Sequence, residues 1–426
     1  MFEQISYFLL QKEVLLKNIS NAGLYFLGSI LQSFLALIAQ PIYSLYLSAD
    51  EFGIIGYFSS IQSFFTPIFI FGMTSVYLMR YFKQSEADNK KLLFNITFYL
   101  CCFNTVVLFI GYFVIFQYFK YMHVNIHLNP FAWFILISLL LENIKSAVLI
   151  NLRIRKKAVS FFIFSATSSV LNFGIGILFV AYFEWGAEGR MLAPIISSLV
   201  LLPVCIFVLR GYTTINFNVT IFYKAAKVAF PLVLAAYAYV PIISIDRIYL
   251  ERLNNLAELG LYNIGIVIAG YAQLAYLALN FAFEPDIFKS VAEMNIKKLV
   301  IIAEIIFLPF LVFILIFIIF SNTIISVLTS GRFIAAAQYT IITLFAVFLM
   351  SVHNFLDKIF IALGKTNINL YINILGGIFA IIIMYIAVSN FAFIGAAYGK
   401  VLVSTFVVII SLILVIKNLK ARKIVI

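Results

Sequence analysis

The sequence predicts an all-α polytopic membrane protein with about twelve transmembrane helices in two six-helix lobes. Three observations carry that expectation: the composition, a ladder of long apolar runs, and an internal repeat. Of the 426 residues, 64% are hydrophobic and 11% are charged, whereas an ordinary soluble domain carries about 25% charge. Such a chain has too few polar side chains to cover a water-exposed surface. That excludes an ordinary soluble enzyme and a nucleic-acid binder, although the net charge is +12. The three cysteines, Cys101, Cys102 and Cys205, lie in apolar runs and read as small core hydrophobes.

The apolar runs fall at roughly 18–46, 52–80, 92–118, 130–152, 158–182, 190–210, 224–250, 258–287, 299–328, 333–362, 368–389 and 393–416. About 20 apolar residues suffice to cross a bilayer, and longer helices tilt, kink or protrude. Pro41, Pro67, Pro231, Pro241 and Pro309 are expected to kink their spans, because proline lacks a backbone donor. The segment Met1 to Ser20 mixes Glu3, Lys12, Glu13 and Lys17 with apolar residues. It lacks the pattern of a cleaved signal peptide, so the first span is expected to be retained. The connecting loops are short, which leaves no room for a soluble domain on either side.

Basic residues set the expected orientation. Alternating the loops from side to side puts 22 of the 29 lysines and arginines on the side of the N-terminus and 6 on the other. Positive charge collects in cytoplasmic loops. Both termini are therefore expected in the cytoplasm of a bacterial inner membrane protein. The charge is spread over seven loops and ends, which again argues against a nucleic-acid partner.

A shift of 207 residues superimposes distant features. Lys17 meets Lys224 and Ala22 meets Ala229. Glu51 and Gly53 meet Glu258 and Gly260. Glu86, Lys90, Lys91 and Leu92 meet Glu293, Lys297, Lys298 and Leu299. At a slightly larger shift, Gly186-Ala187-Glu188-Gly189-Arg190 is similar to Gly395-Ala396-Ala397-Tyr398-Gly399-Lys400. The expected halves are residues 1–212, spans 1 to 6, and residues 213–426, spans 7 to 12. Six spans per half start both halves on the same side, so the repeat is parallel, with a pseudo-two-fold axis along the membrane normal. Such lobes rock around a cavity between them in transporters.

Five segments carry a resemblance to a known group. They are Gln40-Pro41 with Leu47-Ser48-Ala49-Asp50-Glu51-Phe52-Gly53; Arg80-Tyr81-Phe82; Asp246-Arg247 with Glu258-Leu259-Gly260-Leu261-Tyr262; Ala362-Leu363-Gly364-Lys365-Thr366; and the Gly-Ala-rich entrance to span 12. Together they sample both halves. The chain resembles the polysaccharide-exporting branch of the multidrug/oligosaccharidyl-lipid/polysaccharide (MOP) exporter superfamily, and within it the Wzx-type flippases of O-antigen or capsule repeat units. The resemblance implies a MATE-like fold. It also implies translocation of an undecaprenyl-diphosphate-linked oligosaccharide from the cytoplasmic to the outer leaflet by alternating access. A cation-coupled multidrug exporter of the same superfamily is the second reading, and a membrane polysaccharide polymerase or ligase the third. Implied partners are membrane lipids and the polymerase and glycosyltransferases of the same lipopolysaccharide or capsule pathway.

A diphosphate crossing hydrocarbon calls for basic side chains, above all the paired donors of arginine. The candidate cavity cations are Arg80, Lys145, Arg247, Lys358 and Lys400. Each has a plainer reading. Arg80 ends a span and suits the interface. Glu142 and Lys145 are spaced i and i+3 and suit a local ion pair. Arg247 follows Asp246, and mutual neutralisation fits as well. Arg190 and Arg332 read as surface anchors. Asp246, Asp357 and His353 are the candidates for coupling to Na+ or H+, against structural ion pairing and a buried neutral imidazole. Tyr237, Tyr239, Tyr271 and Tyr276 suit either sugar stacking or helix packing, and Gly376-Gly377 suits close helix approach. No metal or cofactor motif is present. Gly364-Lys365-Thr366 lacks the earlier glycine of a phosphate loop.

Overall fold

In a computed structural model the backbone is described for residues 2–365 and 367–425, and side chains for 23–28, 30–277, 279–365 and 367–419. The side chains of Lys12, Lys17, Ala22, Lys420, Arg422 and Lys423, and all of Thr366, lie outside the described residues. The protein is all-helical: α1 (Phe2–Tyr46), α2 (Ala49–Ile70), α3 (Met73–Tyr81), α4 (Glu86–Met122), α5 (Phe131–Ile154), α6 (Ala158–Ile177), α7 (Gly186–Arg210), α8 (Val219–Glu251), α9 (Leu256–Tyr271), α10 (Gln273–Ala292), α11 (Ile296–Ile319), α12 (Ser321–Leu328), α13 (Ala337–Ala362) and α14 (Asn367–Val425). Among the described residues, 11 helices are long and apolar enough to cross a membrane. The last of them, within α14, is two helices joined at Ala392, whose φ is 49° and ψ −132°. Counting both arms gives the twelve crossings read from the sequence. An even number of crossings returns the chain to its starting side, here termed the terminal face; the other is the far face.

The exterior explains the composition. Phe109, Phe113, Phe207 and Ile319 are all at least 60% exposed, and an apolar belt of that kind needs lipid rather than water around it. Cys205 is buried as expected, but Cys102 is exposed on α4. A thiol placed on the lipid side of a helix satisfies the same apolar pattern as one in the core. Apolar periodicity alone does not separate the two.

Several helix ends follow directly from local sequence. Ser48 Oγ accepts the Glu51 backbone N–H at 3.2 Å, and Glu51 Oε2 accepts the Ser48 N–H at 2.7 Å, a reciprocal cap that starts α2. Glu51 Oε1 reaches further and accepts the Ala187 N–H at 3.0 Å, so the α2 start is tied to the α7 start. Gly186 permits this contact, since its φ is +52° and a Cβ there would collide with Glu51. Gly364, with φ +71°, caps α13, and the Lys365 N–H bonds back to Phe360 O at 2.9 Å. The glycine-lysine turn is thus a helix stop.

The prolines and the helix breaks do not coincide one for one. Pro41, Pro231, Pro241 and Pro309 sit inside continuous helices. Span 2 breaks at Phe71 and Gly72, both left-handed, with the Phe71 N–H bonded to Pro67 O at 3.0 Å. Span 8 breaks at Ala272, and span 5 ends in a π-helical turn, Leu178–Tyr182.

Helices of the first half pack largely on one another, α1 on α6 and α7 on both α5 and α6. In the second half α14 packs on α8 and α13, and α10 on α11 and α13. Between the halves the broadest contacts join α2 to α9 and α8. There Gly53 lies against the Leu256 carbonyl, Gly260 against the Ala49 carbonyl, and Gly56 against Asn263. These positions are related pairwise by the 207-residue shift, so α2 and α9 cross at a contact of equivalent positions, with a glycine at 53 and at 260. Gly376 and Gly377 likewise admit Ile242 and the Ala238 carbonyl, which lets α14 approach α8.

Candidate functional site

The far-face half of the contact between the two halves holds a buried charged cluster. Residues Ile243, Asp246 and Arg247 of α8 lie within one helical turn. Asp246 is 0% exposed. Its Oδ2 accepts the Tyr262 hydroxyl from α9 at 2.6 Å and lies 3.1 Å from Lys400 Nζ of α14. Lys400 Nζ also donates to Ile243 O at 3.1 Å. Arg247, one position on, points elsewhere and donates from Nη1 to Ser60 Oγ of α2 at 3.2 Å, across the contact between the halves. Its Nε and Asp246 Oδ1 are buried without a hydrogen-bond partner. Taking an ion pair out of water is costly, and the attraction offsets that cost only when the remaining donors and acceptors are used. Two groups here are not.

More bonds cross between the halves around this cluster. Asn263 Nδ2 donates to Phe52 O at 3.2 Å. The Asn125 N–H donates to Glu251 Oε1 at 3.2 Å, and Asn125 Nδ2 to Asn254 Oδ1 at 2.5 Å. Arg332 donates to Ser44 O at 2.9 Å and also to Leu45 O, while Ser330 donates to Pro41 O at 3.1 Å. Arg332 is therefore a strap between the halves rather than an isolated anchor. The far face is closed by these contacts. On the terminal face, Arg80 Nη2 donates to Lys224 O at 3.0 Å.

The remaining sequence-selected cations sit apart from the cluster. Lys145 is 8% exposed and pairs with Glu142 at 2.6 Å on its own helix. Lys358 pairs with Glu284 of α10 at 2.5 Å and lies over the Phe281 ring at 5.6 Å. Thus Asp246, Arg247 and Lys400 come together, and Arg80, Lys145 and Lys358 do not join them. His353 is 4% exposed, and its Nδ1 is 2.9 Å from Ser411 Oγ. Asp357, one turn on, faces Asn369 instead. Tyr276 is fully buried and stacks on Phe307, and Tyr271 donates to Ala36 O at 3.1 Å, so both serve packing.

Sequence reasoning did not single out Ser60 or Tyr262 as partners in the cluster. It also placed Arg190 on the surface. Its side chain turns inward from the first turn of α7, with the guanidinium 4.8 Å from the centre of the Tyr43 ring and 5.6 Å from that of Phe173. It lines a cavity of about 200 Å³ with Ile55, Ser59, Gln62, Ser138 and Asn172. The signal for this was in the repeat, which sets Gly189-Arg190 beside Gly399-Lys400.

No family profile and no curated protein sequence matches the chain. Solved structures do. A structure described as lipid II flippase MurJ in an inward closed conformation is 17% identical, covers 93% of this chain and 89% of its own, and superimposes with a TM-score of 0.71. An inward-facing multidrug resistance MATE family transporter of the MOP superfamily is 15% identical, with 94% and 99% coverage and a TM-score of 0.66. A MOP superfamily transporter from Pyrococcus furiosus, described by the reverse polarity of its binding pocket, is 15% identical, with 96% coverage of both chains and a TM-score of 0.58. At these identities the likeness establishes the architecture: this chain is a polytopic membrane protein with the MurJ/MATE-type fold.

Proposed function

We propose that the protein is a transporter of the MOP superfamily. In this reading it flips undecaprenyl-diphosphate-linked oligosaccharide repeat units, of O-antigen or capsule type, to the outer leaflet of the bacterial inner membrane. The observation that carries it is the contact between the halves, where a half-buried Arg247 on α8 reaches Ser60 on α2 beside the Asp246–Lys400 pair. Charge at a sliding contact between two lobes is costly unless the contact also opens. Residues 1–212 and 213–426 are the lobes, and the terminal face is cytoplasmic. The straps at the far face then hold the outer gate shut. Opening that gate frees Arg247 and the Lys400 region to meet phosphate. The MurJ-like architecture supports a lipid-linked cargo, whose prenyl tail stays in lipid while the polar part crosses between the lobes.

Asp246, Asp357 and His353 are the groups that would couple the cycle to Na+ or H+. The drug-exporter reading keeps the same residues and replaces the cargo. Deleting the gene separates the readings. Flippase loss accumulates lipid-linked repeat units on the cytoplasmic face. Single units on the outer face would mean a polymerase, and intact glycan with raised dye sensitivity a drug exporter. Arg247→Ala and Lys145→Ala are expected to lower export while the protein remains in the membrane. Full complementation by both would remove these residues from the site.

A further inference from the structure

The cavity at Arg190 is the first-half counterpart of the Asp246–Lys400 site, with the negative partner missing. In the second half Lys400 follows Gly399, and it is neutralised by Asp246, which Tyr262 also holds. In the first half Arg190 follows Gly189 in the corresponding turn of α7. The position 207 residues before Asp246 is Ala39, which is 2% exposed. The position 207 residues before Tyr262 is Ile55, which lines the cavity. Carboxylate and phenol have thus been replaced by a methyl and a branched alkyl group.

The cation has been kept. Arg190 has no ion-pair partner among the described residues. Its two aromatic contacts offset part of the cost of an unpaired guanidinium in a low-dielectric site. Beside apolar residues such as Ile55 and Phe134, the lining carries the polar side chains of Ser59, Gln62, Ser138 and Asn172. Gln62 Nε2 donates to Ser138 Oγ at 3.2 Å, and Ser138 Oγ donates to Ile135 O at 2.8 Å. The Asn172 amide has a buried Oδ1 with no partner. Turned end for end, that amide would present its N–H donors instead. A volume of about 200 Å³ exceeds what one water needs and accommodates a small polyatomic ion.

We propose that this cavity binds one small oxyanion, a carboxylate or phosphate group, which supplies the counter-charge that Asp246 supplies in the other half. The planar guanidinium presents two parallel donors to such a group, and the hydroxyl and amide side chains complete its coordination. The site is independent of which cargo the protein carries. Two sources share this chemistry: a free ion, or an acidic group on a bound glycan.

The test uses the full-length protein in nanodiscs at constant ionic strength. Sodium acetate, inorganic phosphate and glucuronate are titrated separately, with the unfolding midpoint and calorimetric binding as readouts. The expected result is saturable stabilisation by at least one of the three, weakened about tenfold or more in Arg190→Gln, as loss of a charge-assisted bond implies. A response to acetate or phosphate identifies a free ion. A response to glucuronate alone identifies an acidic sugar. Ala39→Asp restores the missing carboxylate; it is expected to raise the ligand-free midpoint and to abolish the titration. If no anion gives a shift that depends on Arg190, the proposal falls, whether or not Ala39→Asp folds.

Discussion

The two halves solve the same problem at equivalent positions in opposite ways. In the second half a lysine whose side chain is 13% exposed meets a buried aspartate, and a tyrosine hydroxyl fixes the carboxylate. In the first half a half-buried arginine faces a cavity, with Ala39 at the position 207 residues before Asp246. The difference teaches that a shared helix crossing and a cation in each half do not by themselves bring a shared counter-charge. One half carries its own neutralisation. The other is open to an outside ligand. The helix contact they share, Gly53 against α9 and Gly260 against α2, is by contrast nearly symmetric.

The largest expected effect comes from breaking the self-neutralised side. Asp246→Ala leaves Lys400 without its carboxylate and is expected to cost about 3–5 kcal/mol, read as a lowered unfolding midpoint. Adding Lys400→Met should recover most of that loss. An unchanged midpoint in Asp246→Ala would end the contrast between the halves.

Next comes the symmetric crossing. Gly260→Leu places a side chain against the Ala49 carbonyl and is expected to cost about 1–3 kcal/mol by overpacking. It should also part the far-face closure. A cysteine pair at Asn125 and Asn254, whose side chains hydrogen-bond in the closed form, would report this as a lower cross-linking yield. A yield equal to that of the parent would mean the crossing tolerates separation without opening the face.

A smaller effect is expected from Ser60→Ala, which removes the one partner Arg247 has across the contact. The loss should be about 1 kcal/mol, the scale of one hydrogen bond from a half-buried donor that solvent partly reaches. The same cross-link assay should show a modest fall. The smallest effect belongs to Lys145→Ala. Its partner Glu142 has a side chain 51% exposed, so solvent takes over and the expected stability change is about 0–1 kcal/mol. A larger loss of stability would show that Lys145 has a second role in packing.

The contrast between the halves also shows where sequence reading succeeds. The pair Glu142–Lys145 was legible because both partners lie within one helical turn. The cap at Ser48 and Glu51 and the stop at Gly364 are equally local, with partners within about one helical turn, although only the structure showed them. The partner of Asp246 was not legible, because Lys400 lies far along the chain, on a helix that only packing brings near. Arg190 was misplaced because its position near a helix start suits both an interface anchor and an inward turn. Tyr43 and Phe173, which hold it inside, come from helices α1 and α6. The break at Phe71 and Gly72 comes one turn after Pro67, where a kink was expected, whereas those at Ala272 and Ala392 carry no proline, so local sequence gave no strong signal for them.

By itself the sequence determined that the protein is an all-helical polytopic membrane protein and about how many times it crosses, and it pointed to two related halves. Those follow from local apolar length and from like residues recurring at one offset, and neither needs a fold to be known. Only the tertiary structure decided which cations are neutralised and which is left open. Charge pairing inside a membrane protein depends on distances of a few ångströms between helices far apart in sequence. Lys400 has Asp246 at 3.1 Å, whereas Arg190 has no ion-pair partner among the described residues, and only the packing of α1, α6 and α7 shows it.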